Sequence, residues 1–208
     1  MDNIDLDLLK MLIASLEDTD KIAENLTIKD IAYSTIVAMG EDTVKPLTEY
    51  LKNEKGIHNR DKNQEVANIL LDICMVYGNN VPLDVFMDAA RGMSEFRLEA
   101  IRAIGYIGDK EAYKLIIKIL KDPKEMPIYK ANAVSSFGDL YFKHGKKEDL
   151  KLLFDVMKSL PKIDEVDEIT GEDIITLKNN IIAATNKVVN IESGITIGEF
   201  IKRRKTEL

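Results

Sequence analysis

Residues 96–122 read FRLEAIRAIGYIGDKEAYKLIIKILKD, one complete helix–turn–helix unit whose pattern the neighbouring segments repeat less clearly. Ala100, Ala103, Ile104 and Ile107 follow one another at offsets of three, four and seven, which places them on one face of a 3.6-residue period. Gly105 removes a Cβ where a neighbouring helix must come close, and Gly108 followed by Asp109 predicts a turn whose carboxylate caps the next helix. That helix presents Ala112, Leu115, Ile116, Ile119 and Leu120 at helical spacing before Asp122-Pro123 stops it. Two amphipathic helices joined by a short turn cannot bury both apolar faces alone, so the unit requires others stacked beside it.

Working outward, weaker copies follow. A helix over 27–39, a turn at Gly40 and a second helix carrying Val44, Leu47 and Leu51 form the first, with Pro46 in the first turn, where a missing N–H costs little. The polar stretch NEKGIHNRDKN, 53–63, is expected to be an exposed loop. The next copy sets Val66, Ile69, Leu70, Ile73, Cys74 and Tyr77 in one stripe, turns at Gly78-Asn79-Asn80, and resumes after Pro82 with Leu83, Phe86, Met87 and Ala90. A fourth carries Ala133 (or Val134), Phe137 and Tyr141, turns at Gly145, and continues with Leu150, Leu153, Phe154 and Met157. The turn glycines 40, 78, 108 and 145 stand 38, 30 and 37 residues apart, within the range of helical-hairpin repeats. Residues 3–16 are expected to form a terminal helix with Ile4, Leu8, Met11 (or Leu12) and Ser15 (or Leu16) on its buried side, followed by a polar break at 17–20. At the other end LPKIDEVDEITGED, 160–173, reads as an exposed acidic loop, and helices over about 173–190 and 197–204 read as a closing pair.

The set Phe96-Arg97, Ala100, Ala103-Ile104-Gly105, Ile107-Gly108-Asp109, Ala112, Leu115 and Leu120-Lys121-Asp122 resembles a HEAT-like repeat, of the variety named after phycobilisome lyases. The resemblance implies a right-handed α-α superhelix, an armadillo-like solenoid, used as a binding scaffold. With the periodicity it leads us to expect an all-α single domain over 1–208 of about five helical hairpins: an N-terminal cap at 1–26, core repeats at 27–159, an acidic loop at 160–172 and a C-terminal cap at 173–208.

Composition narrows the function. The 208 residues carry a formal net charge of −7, which disfavours general nucleic-acid binding because neutralising phosphates takes a basic footprint. The single cysteine forms no internal disulfide, the acidic opening MDNIDLDLLK lacks the basic region of a signal peptide, and no apolar run reaches membrane-spanning length. A cytoplasmic protein is the expectation.

Catalytic and metal chemistry find little support. Cys74 lies in an apolar stripe, as a core thiol does. His58 and His144 are far apart, with no further cysteine or histidine at ligand spacing. The HEAT-like deoxyhypusine hydroxylases hold two irons with His-Glu pairs, and neither histidine here precedes a glutamate. The resemblance to phycobilin lyases is to the repeat alone and carries over no catalytic residue, and the absence of tryptophan departs from the HEAT-like DNA glycosylases. GYIGDK, 105–110, lacks the spacing of a phosphate loop. No cofactor or metal is expected.

Surface remains. In such solenoids the second helices line the concave side, which there predicts Lys45 and Glu49, Asp84 and Asp88, Tyr113 and Ile117, and Lys151 and Asp155. Tyr113 and Ile117, flanked by Lys110, Lys114 and Lys118, either anchor a protein partner or pack against the adjacent repeat, and both readings stay open. The acidic loop and the basic end IKRRK, 201–205, read as solvated charge. The function expected is a non-catalytic protein-interaction scaffold. The alternatives are a lyase-like or cofactor-handling protein with a small molecule in the groove and, after it, nucleic-acid binding.

Overall fold

The turn read at Gly108-Asp109 is present in the computed structural model, which describes residues 5–53, 60–77, 82–92 and 94–193. The described chain is all-α apart from one short strand pair, and it divides into two compact units, Met1–Ala100 and Ile101–Leu208.

In the first unit, helix α1 (Leu6–Ala14) starts at Asp5, whose carboxylate accepts from the N–H groups of Asp7 and Leu8 at 3.0 Å each. Leu9, Ile13 and Leu16 are buried, while Leu8 and Met11 are exposed. The buried side is therefore one residue on from the expected one. The segment LDLLKMLIASL is apolar around most of its circumference, so periodicity alone did not select a face.

The polar break leads into a two-stranded antiparallel ladder, β1 (Lys21–Ala23) and β2 (Leu26–Thr27). These strands are too short for alternation to betray them. The carbonyls of Asp18 and Asp20 accept from Lys29 and Ile28, satisfying N–H groups at the start of α2 (Ile28–Met39) that have no intrahelical partner. Thr27 and Asp30 complete a reciprocal capping box, and these bonds hold the Asp30 carboxyl below its usual range.

Gly40, at φ 71°, turns the chain into a 3₁₀ segment and α3 (Val44–Asn53), a backbone conformation that L side chains rarely adopt. The loop expected over 53–63 is helical at both ends: Asn53 closes α3, and α4 (Arg60–Tyr77) already contains Asn63, which is fully buried, while 54–59 lie outside the described residues. Tyr77, read into the apolar stripe, is exposed. Helix α5 (Leu83–Arg91) follows Pro82. Helices α2 and α4 run parallel, since Lys29 meets Glu65 at 2.5 Å and, further along both, Tyr33 donates to Asp72 at 2.6 Å. Ile36, Leu47, Ile69, Leu70, Ile73 and Phe86 form this unit's centre.

Helix α6 (Arg97–Ile107) contains the boundary between the units. Beyond it come α7 (Lys110–Lys121), α8 (Pro127–His144), α9 (Lys147–Ser159) and α10 (Glu168–Ser193). Asp109 caps α7 as read, accepting from Glu111 and Ala112 at 2.8 and 2.9 Å. Gly105 is needed for close approach: a Cβ there would lie 2.8 Å from the Cα of Ser136, whose hydroxyl donates to the Ile101 carbonyl at 2.7 Å. Helices α8 and α10 run parallel, joined by Asn180 donating to the Ala131 carbonyl (2.9 Å) and by Lys187 on Asp139 (2.5 Å).

The acidic stretch is less of a loop than its composition predicted. It contains a 3₁₀ turn at Ile163–Glu165, and α10 begins at Glu168, capped by Asp167 bonding Thr170. Gly171 is thus buried within a helix. The turn at 78–80, His58 and the helix expected over 197–204 lie outside the described residues.

Candidate functional site

Groups suited to chemistry are committed to structure. Cys74 is 6% exposed, and burial pushes its thiol up to about 11, so it carries little thiolate near neutrality. Among the described residues no cluster of three or more histidines, cysteines or carboxylates is placed to hold a metal. A cavity of about 210 Å³ lies between α8 and α10, lined by Ser135, Gly138, Asp139, Asn180, Ala183 and Lys187. It falls below the roughly 300 Å³ at which small-molecule pockets begin, and its amide and its charges already bind Ala131 and each other.

The remaining candidates lie on α3, α5, α7 and α9. Lys45 and Glu49 are exposed on α3, Asp84 and Asp88 on α5, Lys110, Lys114 and Lys118 on α7, and Lys151 and Asp155 on α9; Ile117 is half-buried. Tyr113 does not project outward. It is 6% exposed, its ring stands 5.8 Å from that of Phe137, and its hydroxyl donates to Asp149 at 2.9 Å. Asp149 also accepts the Lys146 N–H at the start of α9, so Tyr113 braces the cap of the next helix. Burial first, and the Asp149 carboxylate second, keep the phenol protonated far above its ordinary range.

The burial of Tyr113 corrects the register between repeats. Taking Ala112 and Leu150 as equivalent first core residues pairs Tyr113 with Lys151, but Tyr113 points inward and Lys151 is exposed. A shift of 37 residues resolves this. It aligns KEAYKLIIKILK (110–121) with KEDLKLLFDVMK (147–158), matching buried Ile116 and Ile119 to buried Leu153 and Val156, and exposed Glu111, Lys114 and Lys121 to exposed Glu148, Lys151 and Lys158. Ile117 then matches Phe154, which is 42% exposed.

Helices α7 and α9 pack side by side with their N-terminal ends together, as the Tyr113–Asp149 bond requires. The same motif, a lysine, an apolar residue three positions on and a lysine four beyond, therefore lies on two neighbouring helices. Lys121 and Lys158 were not among the surface candidates read from the sequence, and Phe154, read there into the apolar stripe of its helix, is instead exposed, although the two twelve-residue strings display all three.

The lysines are largely uncompensated. Lys114 pairs with Glu111 at 2.6 Å, but among the described residues Lys118, Lys121, Lys151 and Lys158 make no ion pair. Residues 1–100 carry ten Lys and Arg against nineteen Asp and Glu; residues 101–159 carry twelve against eight. None of the described helices is long and apolar enough to cross a membrane. Comparison with family models, with curated proteins and with solved structures finds no match for this chain.

Proposed function

We propose that the protein is a non-catalytic interaction scaffold, built as a HEAT-like solenoid, that binds a protein partner through its concave, mixed-charge surface, at the solvent-exposed face of α7 and α9. The solenoid reading is supported by the packing order: helices two apart in sequence lie together, α2 with α4, α3 with α5, α7 with α9 and α8 with α10. Stacked helical pairs produce that order because each pair buries its apolar faces against the next.

The observation that carries the binding reading is the 37-residue recurrence on the exposed side of α7 and α9. Helix packing explains why Ile116 and Leu153, or Ile119 and Val156, recur, but it places no demand on lysines in solvent or on Phe154 beside them. An apolar residue within a charged rim is a common form of binding hot spot. The test is affinity capture from lysate of the source cells with wild type and the double variant Ile117→Asp, Phe154→Asp. A stoichiometric protein held by wild type and lost from the variant, whose helical circular dichroism is retained, is expected. Equal recovery by both removes the surface from consideration.

A further inference from the structure

We infer that the face of α7 and α9 recognises an acidic amphipathic segment of its protein partner, a helix with carboxylates along both edges and aliphatic side chains between them. The inference rests on the interaction reading above and adds the chemistry of the partner.

Geometry supplies the first support. Lys114 and Lys121 are seven residues apart on one helix, as are Lys151 and Lys158, so at a rise of 1.5 Å per residue each pair spans about 10 Å. The two rows belong to packed helices, whose axes lie about 8–10 Å apart. A helix laid along the pair meets both lysine rows with Ile117 between them, because Ile117 lies on the side of α7 that Tyr113 turns toward α9; Phe154, at the equivalent position of α9, flanks the second row on its far side. Carboxylates seven residues apart on the partner match either row, with aliphatic positions three or four residues from each.

Charge supplies the second. Lys121, Lys151 and Lys158 have no ion pair of their own among the described residues, so a partner's carboxylates gain their attraction without breaking an internal bond. They sit in a stretch with an excess of cations on a chain whose formal charge is −7, and the excess on this face comes from α7, which carries four lysines against one glutamate, while α9 carries three against three carboxylates.

The make-up of the face separates protein from nucleic acid. Glu111, Glu148 and Asp155 are exposed along the same two helices, where a continuous phosphate backbone would meet them. A helix presenting separate carboxylates avoids them by register, and its aliphatic side chains match half-buried Ile117.

The test uses the full chain and fluorescence anisotropy with three synthetic helical probes of identical aliphatic positions, carrying Glu, Gln or Lys at the edges, beside a labelled single-stranded oligodeoxynucleotide. The Glu probe is expected to bind at least about tenfold more tightly than the Gln probe, and to weaken as salt is raised from about 50 to about 500 mM. The charge reversal Lys114→Glu, Lys151→Glu is expected to abolish that preference with the thermal midpoint unchanged, while Lys52→Glu, on α3, leaves it intact. Equal binding of the Glu and Gln probes overturns the inference. So does tighter binding of the oligonucleotide that the same reversal removes, or a concentration-dependent self-association, seen by sedimentation, that the reversal abolishes. Loss of lysate capture by Ile117→Asp, Phe154→Asp with no preference for the Glu probe leaves the surface standing and refutes only its acidic partner; retained capture refutes the surface itself.

Discussion

Along α3 and α5, in the first unit, two ion pairs form: Lys52 reaches Asp84 at 2.9 Å from helix to helix, and Arg91 reaches Asp88 at 2.9 Å within α5. The Lys52 bond holds the Asp84 carboxyl below its usual range. Along α7 and α9, in the second unit, Lys121, Lys151 and Lys158 stand without such partners, in register with Ile117 and Phe154. Both surfaces also leave charges unpaired, Lys45 and Glu49 on α3 among the described residues, but only on α7 and α9 do lysines recur in register beside an apolar side chain on each helix. Exposed ion pairs contribute little to stability, so the difference concerns recognition more than folding.

The two interiors are expected to respond alike. Phe86 and Phe137 are both fully buried, one in each unit. Truncation of either ring to alanine should cost about 3–5 kcal/mol in urea unfolding. A loss below about 1 kcal/mol for one of them would mean that unit's centre lies elsewhere.

A smaller effect separates two glycines on helix interfaces of the second unit. Gly105→Ala forces a methyl against the Ser136 backbone and should destabilise by about 1–3 kcal/mol. At Gly138 an added Cβ meets Ala184 Cβ at 3.6 Å, an ordinary contact. Gly138→Ala should therefore be neutral or stabilising by up to about 1 kcal/mol, through helix propensity. Thermal melts of the pair decide it; equal losses would mean that the α6–α8 approach is no tighter than that of α8 and α10.

Tyr113→Phe should cost about 1–2 kcal/mol by removing the bond to Asp149, with helix content unchanged. It should also change the alkaline limb. The folded phenol titrates above its ordinary value of 10.0, so above that pH the unfolded chain releases the proton first and wild type loses stability as the pH rises. Cys74 adds a loss of the same sign between its ordinary 9.0 and about 11. Urea midpoints from pH 8 to 11 should fall less steeply for Tyr113→Phe than for wild type; identical slopes would contradict a buried, carboxylate-bound phenol.

The smallest effects belong to the surfaces. Lys52→Ala should cost less than about 1 kcal/mol, and Lys151→Ala about 0.5 kcal/mol or less in either direction. Only the second should alter binding of an acidic probe. A loss of stability from Lys151→Ala larger than that from Lys52→Ala would mean that α9's lysine is holding the fold.

Much of the helical frame was legible because its signals are local. Asp109 caps α7 as its position before an apolar run implies, Pro82 precedes α5, and Asp122 ends α7. The start of α4 was missed because Arg60 to Asn63 are polar, and polarity reads as exposure until Asn63 is found buried beside Glu95, to which its amide donates. The acidic stretch misled for the same reason, since the carboxylate of Asp167 caps a helix as readily as it solvates a loop. Of the candidate surface, Lys110, Lys114, Ile117, Lys118 and Lys151 were read from the sequence, whereas Phe154 was placed in the core and Lys121 and Lys158 were passed over. The cause was a slip of one residue between repeats, traceable to Tyr113, whose ring suits the core while its hydroxyl suits the surface.

Sequence alone was enough for the number of helical residues per turn to reveal itself, for caps and breakers to mark where helices begin and end, and for the chain's acidity to be known. Those properties depend on neighbours within about one turn of helix. Folding in three dimensions settled which side of α1 faces inward, where Tyr113 points, and which lysines find a carboxylate. Each of these depends on residues tens of positions away, as Tyr113 on Asp149 and Lys52 on Asp84. A charge is satisfied only by what packing brings within a few ångströms of it.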